Sequence, residues 1–422
     1  MNTRATWQRC DDCGRELDEL DAASRCPACN GLLAVVHRVE SRGEALRQRI
    51  AENRSPSGVW RFGQLVLPTA VQLAVSHPEG NTPLLARARL REWCDTPSLL
   101  LKHEGHNPTG SFKDRGMTVG MTQAKRIGAR AVACASTGNT SASLASYAAH
   151  AGIPALAIVP DGQVSLGKLT QTLAYGARTL LVAGDFDDCL RLMQQASAEL
   201  GVYLLNSINP FRLEGQKTIV FELLQQLDWD PPDWIVLPAG NLGNTAAFGK
   251  ALDEAMDLGL IARRPRLAAI QAAGAAPFAT AFAGGFDHLT PIRAETIATA
   301  IRIGAPASFR RAARAIVAND GVVLAVTDDA ILAAKHAIDA AGVGCEPASA
   351  ASVAGVRQLR ASGVVGRNDR VVAVLTGHIL KDPGILQQMH GESPISPSLA
   401  NPPIRIPADL SRVRAVLESF GN

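Results

Sequence analysis

Lys113 stands at the mouth of a glycine- and hydroxyl-rich turn, Asn107–Arg115, with the sequence NPTGSFKDR. The pattern that follows predicts a helix over Asp114–Ile127. The lysine would then lie near the positive end of the helix dipole, which favours a neutral amine. A neutral lysine amine can attack a carbonyl and form a Schiff base, the linkage that holds pyridoxal phosphate (PLP). An isolated lysine is usually a solvated surface residue, so this assignment depends on the rest of the chain.

A second loop, Ser136–Ser143 (STGNTSAS), directly follows an apolar run at Ala131–Ala135 that predicts a strand. Its hydroxyls, its asparagine side chain and the free backbone N–H groups of a helix start form a ready anion site. An ordinary serine or threonine N-cap is the alternative, and the sequence leaves both open.

A third loop, Pro238–Thr245 (PAGNLGNT), directly follows the predicted strand Trp234–Leu237. Its glycines allow close backbone approach to a phosphate, and the helix that follows points its N-terminus at that phosphate. The loop has neither the GxGxxG spacing of dinucleotide-binding proteins nor the GK[ST] ending of a Walker loop. It therefore suits a single phosphate ester, with a tight strand-to-helix turn as the alternative.

A fourth element, Leu375–Pro383 (LTGHILKDP), follows the last predicted strand. Thr376 can offer its hydroxyl to a ring nitrogen. Unlike a carboxylate, a hydroxyl would leave the pyridine nitrogen of PLP unprotonated. A neutral ring is a weaker electron sink and supports a narrower range of reactions. His378 is either a titrating group or a satisfied histidine in a turn.

Four of the eight cysteines form two CxxC pairs separated by 12 residues. They suit four thiolates around one tetrahedral Zn²⁺ with no ligand position left for water, which predicts a structural zinc. Gly14 and Asn30-Gly31 follow the two pairs and would let backbone amides fold back toward the sulfurs. The alternatives are two disulfides, disfavoured in a cytosolic chain, and a redox pair, which needs only one CxxC. The predicted ligands are Cys10, Cys13, Cys26 and Cys29.

The composition is that of a globular protein, with 422 residues of which 47% are apolar and 19% are charged. The net charge of +3 is too small to argue for nucleic acid or a membrane surface as a partner. The first residues lack the apolar run of a signal peptide, and no apolar run is long enough to span a bilayer. We therefore expect a soluble cytoplasmic protein.

From about residue 98, short apolar runs alternate with helical patterns such as Leu213–Leu227. This alternation predicts an α/β protein with mostly parallel sheets, and its length predicts two sheets. Active sites in open α/β sheets lie at the carboxyl ends of strands, where the loops described above fall. The predicted strands are Ser98–Leu101, Ala131–Ala135, Ala155–Val159, Thr179–Val182, Trp234–Leu237, Arg266–Ile270, Val322–Val326 and Arg370–Leu375.

Six stretches carry a resemblance to a known family: Asn107–Gly116, Ser136–Ala142, Asn206–Thr218, Pro238–Asn244, Glu346–Ala351 and Thr376–Pro383. Together with the cysteine pairs they resemble the threonine synthases, PLP enzymes of the tryptophan-synthase-β fold group, over nearly the whole chain. The resemblance implies PLP fold type II: two open, mostly parallel sheets flanked by helices and preceded by a small zinc ribbon. The implied domains are a ribbon at 1–40, a smaller PLP and substrate domain at 96–212, and a larger PLP-binding domain at 41–95 with 213–422.

The resemblance also implies a role for each group of site residues. Lys113 would form the Schiff base and shuttle protons. Asn139 would hydrogen-bond the PLP 3-hydroxyl, and Thr376 would face the pyridine nitrogen. The cradle for the PLP phosphate would be Gly240, Asn241, Leu242, Gly243 and Asn244, and the contacts to the substrate and its phosphate would be Ser136, Thr137, Thr140, Ser207 and Arg212.

The implied enzyme is a PLP-dependent carbon–oxygen lyase of threonine biosynthesis. It would convert O-phospho-L-homoserine and water into L-threonine and phosphate, by elimination of phosphate and addition of water, and the family suggests a homodimer. Two other enzymes are alternatives: a cysteate synthase-like β-replacement on O-phosphoserine, and a threonine or serine dehydratase. The dehydratase is disfavoured because Arg212 and the hydroxyl cluster provide for a second phosphate.

A non-enzymatic alternative is a zinc-ribbon adaptor with an inactive enzyme fold, and the intact Lys113 argues against it. One departure from the family pattern bears on substrate choice: Ile379 stands where glycine is usual.

Overall fold

The computed structural model describes residues 5–136, 138–161, 166–184 and 186–419. The chain divides into two compact units, the first ending at Lys381 and the second beginning at Asp382. None of the helices in the described ranges has the length and apolar character that a membrane span requires.

The strands are β1 (Thr6–Cys10), β2 (Glu16–Leu17), β3 (Leu33–His37), β4 (Leu84–Leu85), β5 (Leu99–His103), β6 (Ala131–Cys134), β7 (Ala155–Pro160), β8 (Arg178–Val182), β9 (Val202–Leu204), β10 (Trp234–Pro238), β11 (Arg266–Ala272), β12 (Val322–Val326) and β13 (Val371–Leu375).

The α-helices are α1 (Gly43–Glu52), α2 (Gly63–Val66), α3 (Ala88–Trp93), α4 (Lys113–Arg126), α5 (Asn139–Ala151), α6 (Leu166–Ala174), α7 (Phe186–Leu200), α8 (Pro210–Gln216), α9 (Thr218–Gln226), α10 (Gly243–Asp257), α11 (Pro277–Ala283), α12 (Phe309–Ala318), α13 (Asp328–Ala340), α14 (Pro347–Ala361), α15 (Pro383–His390) and α16 (Leu410–Ser419).

The amino-terminal ribbon is a small antiparallel sheet in the order β2-β1-β3. Its strands are short, and its own apolar core is small, comprising Cys10, Leu17, Cys26 and Leu33 with Ala23 against them. A core of this size cannot stabilise a free-standing sheet, so the ribbon depends on its cysteine cluster and on the body against which it packs.

A six-stranded sheet in the order β12-β11-β10-β13-β5-β4 forms the centre of the body. All its pairs are parallel except the one between β4 and β5. Every residue of β10 and β13 is buried, as expected for parallel strands covered by helices on both faces. This explains why both strands appear in the sequence as continuous apolar runs.

A second parallel sheet has the order β8-β7-β6-β9. The two parallel sheets confirm the predicted α/β class, and all eight predicted strands are present with ends displaced by a few residues. The sequence missed β9, which has only three residues. The helix predicted over Leu213–Leu227 is instead two helices that meet at Lys217. The first of them, α8, starts earlier than predicted because the Asn209 side chain caps it and Pro210 is its first residue.

One predicted boundary differs from the sheet pairing. β5 pairs with β13 and β4 in the six-stranded sheet, whereas the range 96–212 would assign it to the smaller domain. An apolar run does not reveal which sheet a strand joins, because that depends on partners distant in sequence. The three-part division of the chain otherwise stays a prediction.

Helices α4 and α8 pack with their backbones in contact. A Cβ added to Gly215 would overlap the carbonyl oxygen of Arg115, and a Cβ added to Gly116 would lie 2.8 Å from the carbonyl oxygen of Arg212. Gly120 is one helical turn after Gly116, on the same face, and there a Cβ would lie 2.6 Å from Leu205 Cδ2. Only glycine at these positions permits so close an approach.

We expect Gly215→Ala to destabilise the protein by about 3 kcal/mol, because the added methyl must push α8 away from α4 in a tightly packed interior. Gly284→Ala is the matched control, since the nearest atom to its added Cβ is 3.7 Å away and its φ is −95°. Thermal and denaturant unfolding of both variants would measure the difference. Equal stability of the two variants would show that the helices can separate at little cost.

Candidate active site

The loop before Lys113 is hydrogen-bonded to the loop after β13. Phe112 N–H donates to Thr376 O over 3.0 Å, and His378 N–H donates to Gly110 O over 2.8 Å. An isolated β-bridge joins Ser111 to Gly377 between them. Two stretches more than 250 residues apart in sequence are thus brought together, as expected for the carboxyl ends of neighbouring parallel strands.

Lys113 is the first residue of α4 and is half-buried. Burial is the largest influence on its amine, and together with the charge of Arg212 it lowers the pKa of Lys113 to about 7, although Glu346 acts in the opposite direction. Its Nζ lies 4.1 Å from the centre of the Phe112 ring. At neutral pH a large fraction of this amine is therefore unprotonated, as attack on a carbonyl requires.

Asp114 orders the loop on the other side of the lysine. Its buried carboxylate accepts hydrogen bonds from Thr109 N–H at 2.7 Å, from Thr109 Oγ1 at 2.6 Å and from Ser143 Oγ on α5 at 2.6 Å. Burial raises the pKa of Asp114 to about 6, although these donors act against the rise. The carboxylate thus ties the lysine loop to the helix that follows the second predicted loop.

Glu346 connects two of the predicted cofactor residues, Asn139 and Thr376. Asn139 Nδ2 donates to one carboxylate oxygen over 2.9 Å, and Thr376 Oγ1 donates to the other over 3.2 Å. Ser349 Oγ lies 3.0 Å from Thr376 Oγ1 and further fixes that hydroxyl. Burial raises the pKa of Glu346 above its ordinary value, and Asn139 opposes the rise.

The glycine and asparagine loop follows β10 and leads into α10. A Cβ on Gly240 would lie 2.9 Å from Ile301 Cα, so a side chain there would collide with backbone. Leu242 adopts a left-handed conformation with φ of +64°, an uncommon one for a leucine. The turn directs the first N–H groups of α10, which begins at Gly243, toward the mouth of the loop, as a phosphate site requires.

Asn241 joins this loop to the loop that precedes α8. Its Nδ2 donates to Ser207 Oγ over 2.5 Å, and its Oδ1 accepts from Ala307 N–H over 2.7 Å. Ser207 was predicted to contact the substrate and Asn241 the cofactor phosphate. The structure thus places two predicted anion-binding loops edge to edge.

Arg212 lies in α8 and is 1% exposed. Only its Nη1 has a protein partner, Leu205 O at 2.9 Å, and its Nε and Nη2 have none. Burial lowers the pKa of Arg212 to about 10, against the influence of Cys134. The side chain therefore stays charged at neutral pH and has two buried N–H donor groups without a protein partner, an arrangement that suits the binding of an oxyanion.

Buried polar atoms without a partner are concentrated in this region. Of eleven such side-chain atoms in the described ranges, five belong to α8 and to the first turn of α10: Arg212 Nε and Nη2, Gln216 Oε1, Asn244 Oδ1 and Thr245 Oγ1. Unsatisfied buried groups are costly and usually mark a missing ion, water or ligand. The residues present therefore fit a bound cofactor and a phosphorylated substrate.

The other predicted substrate contacts lie nearby or outside the described residues. Ser136 Oγ accepts from Gly138 N–H over 3.4 Å, and Thr140 is half-buried in the first turn of α5. Thr137 lies outside the described residues. His378 Nδ1 accepts from Leu380 N–H over 3.2 Å, which is the arrangement of a satisfied turn histidine.

Three further residues bear on the site. Glu346 was part of a recognised stretch but had no predicted role, and its signal was an acidic residue directly before the proline that starts α14. Lys381 Nζ donates to Thr109 O over 3.1 Å and to Gln171 of α6, so it connects the lysine loop to the smaller sheet region. Ile379 packs against Gly344, where an added Cβ would lie 3.2 Å from the isoleucine side chain.

The four predicted metal ligands form one cluster in the ribbon. The Sγ atoms all lie within 4.8 Å of one another, with Cys10 and Cys29 at 3.4 Å and Cys13 and Cys26 at 3.7 Å. Thiolates about 2.3 Å from a tetrahedral zinc would lie about 3.8 Å apart. All four are free thiols rather than disulfides, so the set fits one metal ion.

The predicted turn residues behave as expected around this cluster. Gly14 has φ of +71° and Asn30 has φ of +60°, both in the left-handed region. A Cβ on Gly31 would lie 2.8 Å from Cys10 Sγ, so the chain passes too close to the sulfur for any side chain.

Comparisons with known proteins agree on a family. The family model described as pyridoxal-phosphate dependent enzyme matches residues 75–377. The threonine synthase of Methanosarcina acetivorans is 48% identical over 377 residues, which covers 89% of this chain and 92% of that protein. The threonine synthase of Methanocaldococcus jannaschii is 42% identical over 418 residues, which covers 98% of this chain and all of that protein.

Solved structures agree on the fold. The crystal structure of threonine synthase from Escherichia coli aligns with a TM-score of 0.70 at 20% identity, covering 98% of this chain and 100% of that one. Maize serine racemase aligns with a TM-score of 0.64 at 21% identity, covering 79% and 95%. These likenesses show the fold of type II PLP enzymes, and the sequence matches add the narrower family: the chain belongs to the pyridoxal-phosphate-dependent enzymes and, within them, to the threonine synthases.

Proposed function

We propose that the chain converts O-phospho-L-homoserine and water into L-threonine and phosphate. The observation that carries this proposal, beyond family membership, is the pair of unpartnered donors on buried Arg212, which lies close enough to Lys113 to depress its pKa. These donors are on α8, whereas the glycine and asparagine loop leads into α10. The site therefore provides for a second phosphate, beyond that of the cofactor, and phosphohomoserine carries one.

The predicted residues take the following roles in this proposal. Lys113 would hold PLP, while the N-terminus of α10 and the loop before it would hold the PLP phosphate. Asn139 and Thr376 would bind the polar atoms of the ring, and Glu346, which is hydrogen-bonded to both side chains, would hold them in place. When bound, PLP supplies an electron sink that stabilises negative charge on the substrate carbons.

The chain itself supplies proton transfer and phosphate binding. The Nζ of Lys113 can take a proton from the substrate and return it, because a pKa lowered to about 7 suits both directions at neutral pH. Arg212 Nε and Nη2 can bind the phosphate as a planar fork and hold it as it leaves. The hydroxyls of Ser136, Thr140 and Ser207, with Thr137, complete the proposed substrate contacts.

The alternatives differ in what they require of Arg212. A threonine or serine dehydratase has no use for a buried guanidinium with two free donors. A β-replacement enzyme acting on O-phosphoserine would use it, but with a substrate shorter by one carbon. Ile379 packs against Gly344, so its branched side chain fills space beside the loop that leads to Glu346, and substrate length is the property it could affect.

We further propose a homodimer that acts in the cytoplasm on a small-molecule substrate, with no nucleic acid or membrane partner. The family resemblance supports the dimer. The small net charge of +3 supports the lack of a nucleic-acid partner. The eight cysteines are thiols rather than disulfides, which suits a reducing compartment.

A product assay tests the proposed function. PLP-loaded protein is incubated with phosphohomoserine, phosphoserine or threonine, and phosphate, threonine and 2-oxobutyrate are measured. We expect equal amounts of phosphate and threonine from phosphohomoserine, and little product from the other two. Sulfite-dependent phosphate release from phosphoserine, or 2-oxobutyrate formed from threonine as the main product, would replace this function with an alternative.

We expect apo protein to take up PLP covalently at Lys113, at a rate that rises with pH through about 7 and then levels off. The sign follows from the lowered pKa, because the neutral amine predominates above about 7. Stopped-flow absorbance gives the rate, and borohydride reduction with peptide mapping gives the site. Lys113→Ala should lose the covalent yellow species. A label on another lysine would refute the assignment. A rate that still rises at pH 9 would also refute it, because that is the pH dependence expected of an ordinary lysine amine, for which Nα-acetyl-lysine is the control.

The Arg212→Ala variant should bind PLP with unchanged affinity. Its kcat/KM for phosphohomoserine should fall by an amount that corresponds to ~2–5 kcal/mol of lost transition-state binding. Arg212→Lys should recover only part of this, because a point charge cannot reproduce the planar fork. Exposed Arg130→Ala removes the same charge away from the site and serves as the control. PLP titration beside steady-state kinetics measures both effects. If the variant lost PLP but kept its turnover per bound cofactor, Arg212 would bind the cofactor phosphate rather than the substrate phosphate.

We propose that the ribbon metal is a structural zinc, and we expect about one zinc per chain. Replacing Cys10, Cys13, Cys26 and Cys29 by serine should abolish zinc binding, whereas Cys94→Ser, outside the cluster, should leave it intact. Elemental analysis of purified protein measures the content. A zinc-stripped protein that keeps its fold and stability but loses only the chemical step would contradict a structural role.

A further inference from the structure

The ribbon reaches the substrate region through one buried side chain. His37 ends β3, and its Nε2 lies 2.8 Å from Glu214 Oε2 on α8. Their side chains are 3% and 1% exposed. Glu214 is two residues from Arg212 on the same short helix. A contact from the ribbon therefore falls on the helix that carries the proposed substrate-phosphate ligand.

His37 acts here as a neutral hydrogen-bond donor. Thr6 Oγ1, on the neighbouring strand β1, lies 3.2 Å from His37 Nδ1. The hydroxyl can donate to Nδ1, which leaves the proton on Nε2, facing Glu214. Burial, the largest influence, lowers the pKa of His37 below its ordinary value, although Glu214 acts in the opposite direction. The ring orientation and tautomer are thus set from within the ribbon.

Glu214 is the centre of a buried network that also reaches α10. It accepts from Lys217 Nζ over 2.5 Å and from Lys250. Burial alone would raise the pKa of Glu214, but the two lysines hold it below its ordinary value. Lys217 also pairs with Glu254 at 2.7 Å. Because α10 follows the glycine and asparagine loop, the same network lies behind both proposed phosphate sites.

The ribbon backbone takes part in the network as well. Lys250 Nζ donates to Val35 O of β3 over 2.5 Å, in addition to its contact with Glu214. Strand β3 therefore binds α8 through a side chain and α10 through its backbone. Both contacts are buried or half-buried, where hydrogen bonds to charged groups are stronger than at the surface.

Helix α8 is held from two sides, with β3 on one side and α4 on the other. It has seven residues, too few to be stable without packing. On the α4 side Gly116 and Gly120 lie directly against Arg212, whose backbone oxygen and Cγ would be 2.8 Å and 3.2 Å from Cβ atoms added there. A small rotation of α8 would therefore turn Nε and Nη2 of Arg212 away from their present direction.

We propose that His37 is a positioning residue for substrate phosphate: through its hydrogen bond to Glu214, the ribbon sets the direction of Arg212. The inference rests on the proposed function in taking Arg212 as the phosphate ligand. It makes the ribbon a working part of the substrate site rather than a separate module. A ribbon that merely covered the body would contribute to stability and leave phosphate affinity unchanged.

Four variants of the full chain, each loaded with zinc and PLP, separate these roles. His37→Leu removes the donor, and His37→Gln keeps an N–H donor near the Nε2 position. Thr6→Val removes only the hydroxyl that orients the ring and serves if His37→Leu fails to fold. Leu17→Ala is the matched control, because it weakens the ribbon's own apolar core, a cluster that includes no residue of α8.

Two readouts are used, with thermal stability measured alongside. The first is the affinity of the PLP-loaded protein for inorganic phosphate by calorimetry, which does not need turnover. The second is the division of kinetic change between KM and kcat with phosphohomoserine. If wild-type protein bound phosphate but did not turn over phosphohomoserine, the proposed function would be wrong. The phosphate titration of the His37 variants would still test whether His37 positions Arg212, because it does not depend on turnover.

We expect His37→Leu to weaken phosphate binding and raise KM by about tenfold, with kcat within about twofold of wild type. Removing one hydrogen bond to a charged group should weaken the binding of substrate and transition state equally, which raises KM and leaves kcat nearly unchanged. Thr6→Val should shift both in the same direction by less, and His37→Gln should restore both. Leu17→Ala should lower stability alone. Unchanged phosphate affinity in His37→Leu, failure of His37→Gln to restore it, or an equal shift in Leu17→Ala would overturn the inference.

Discussion

The backbone contact between α4 and α8 is the constraint on which the site depends. Lys113 is the first residue of α4, and Arg212 lies in the middle of α8. Glycines at the crossing allow the helices to approach until carbonyl oxygens fill the space that Cβ atoms would occupy. The backbone positions of Lys113 and Arg212, from which the amine and the guanidinium extend, are therefore fixed relative to each other by main-chain contact. Their proximity contributes to the lowered pKa of Lys113, so the packing of α4 against α8 affects both the pKa of the amine and the position of Arg212, the proposed phosphate ligand.

Buried charge holds the start of α4 in this position. Arg115, two residues after the lysine, binds Glu104 at 2.6 Å and Glu222 at 2.8 Å, and Lys102 binds the same Glu222 at 2.6 Å. All four side chains are fully buried. Burying ions is costly unless each is paired, and losing one partner leaves an uncompensated charge. Such a network tolerates few other arrangements, which suits a lysine that must stay at one place. The network around Glu214 does the same for α8, from the opposite side.

Local patterns in the sequence predicted much of this molecule. Continuous apolar runs predicted the strands, glycine and asparagine predicted turns in which φ is positive, and the spacing of the CxxC pairs predicted the metal cluster. Each of these signals lies within a few neighbouring positions. The missing parts depend on partners far apart in sequence. Glu346 connects Asn139 and Thr376, His37 binds Glu214 across 177 residues, and β5 joins the larger sheet. No composition or period identifies such partners. The short β9 and the early start of α8 at Pro210 were missed because a three-residue strand or a single cap residue, here Asn209, is too brief a signal.

A crystal structure of the protein with PLP and the phosphonate analogue of phosphohomoserine would test the central claim most directly. The account predicts the PLP phosphate at the N-terminus of α10, with the phosphonate bound by Nε and Nη2 of Arg212 and the Nζ of Lys113 beside the reacting carbons. The backbones of α4 and α8 should keep their present contact. A phosphonate bound away from Arg212, or a pair of helices separated to admit it, would contradict the account.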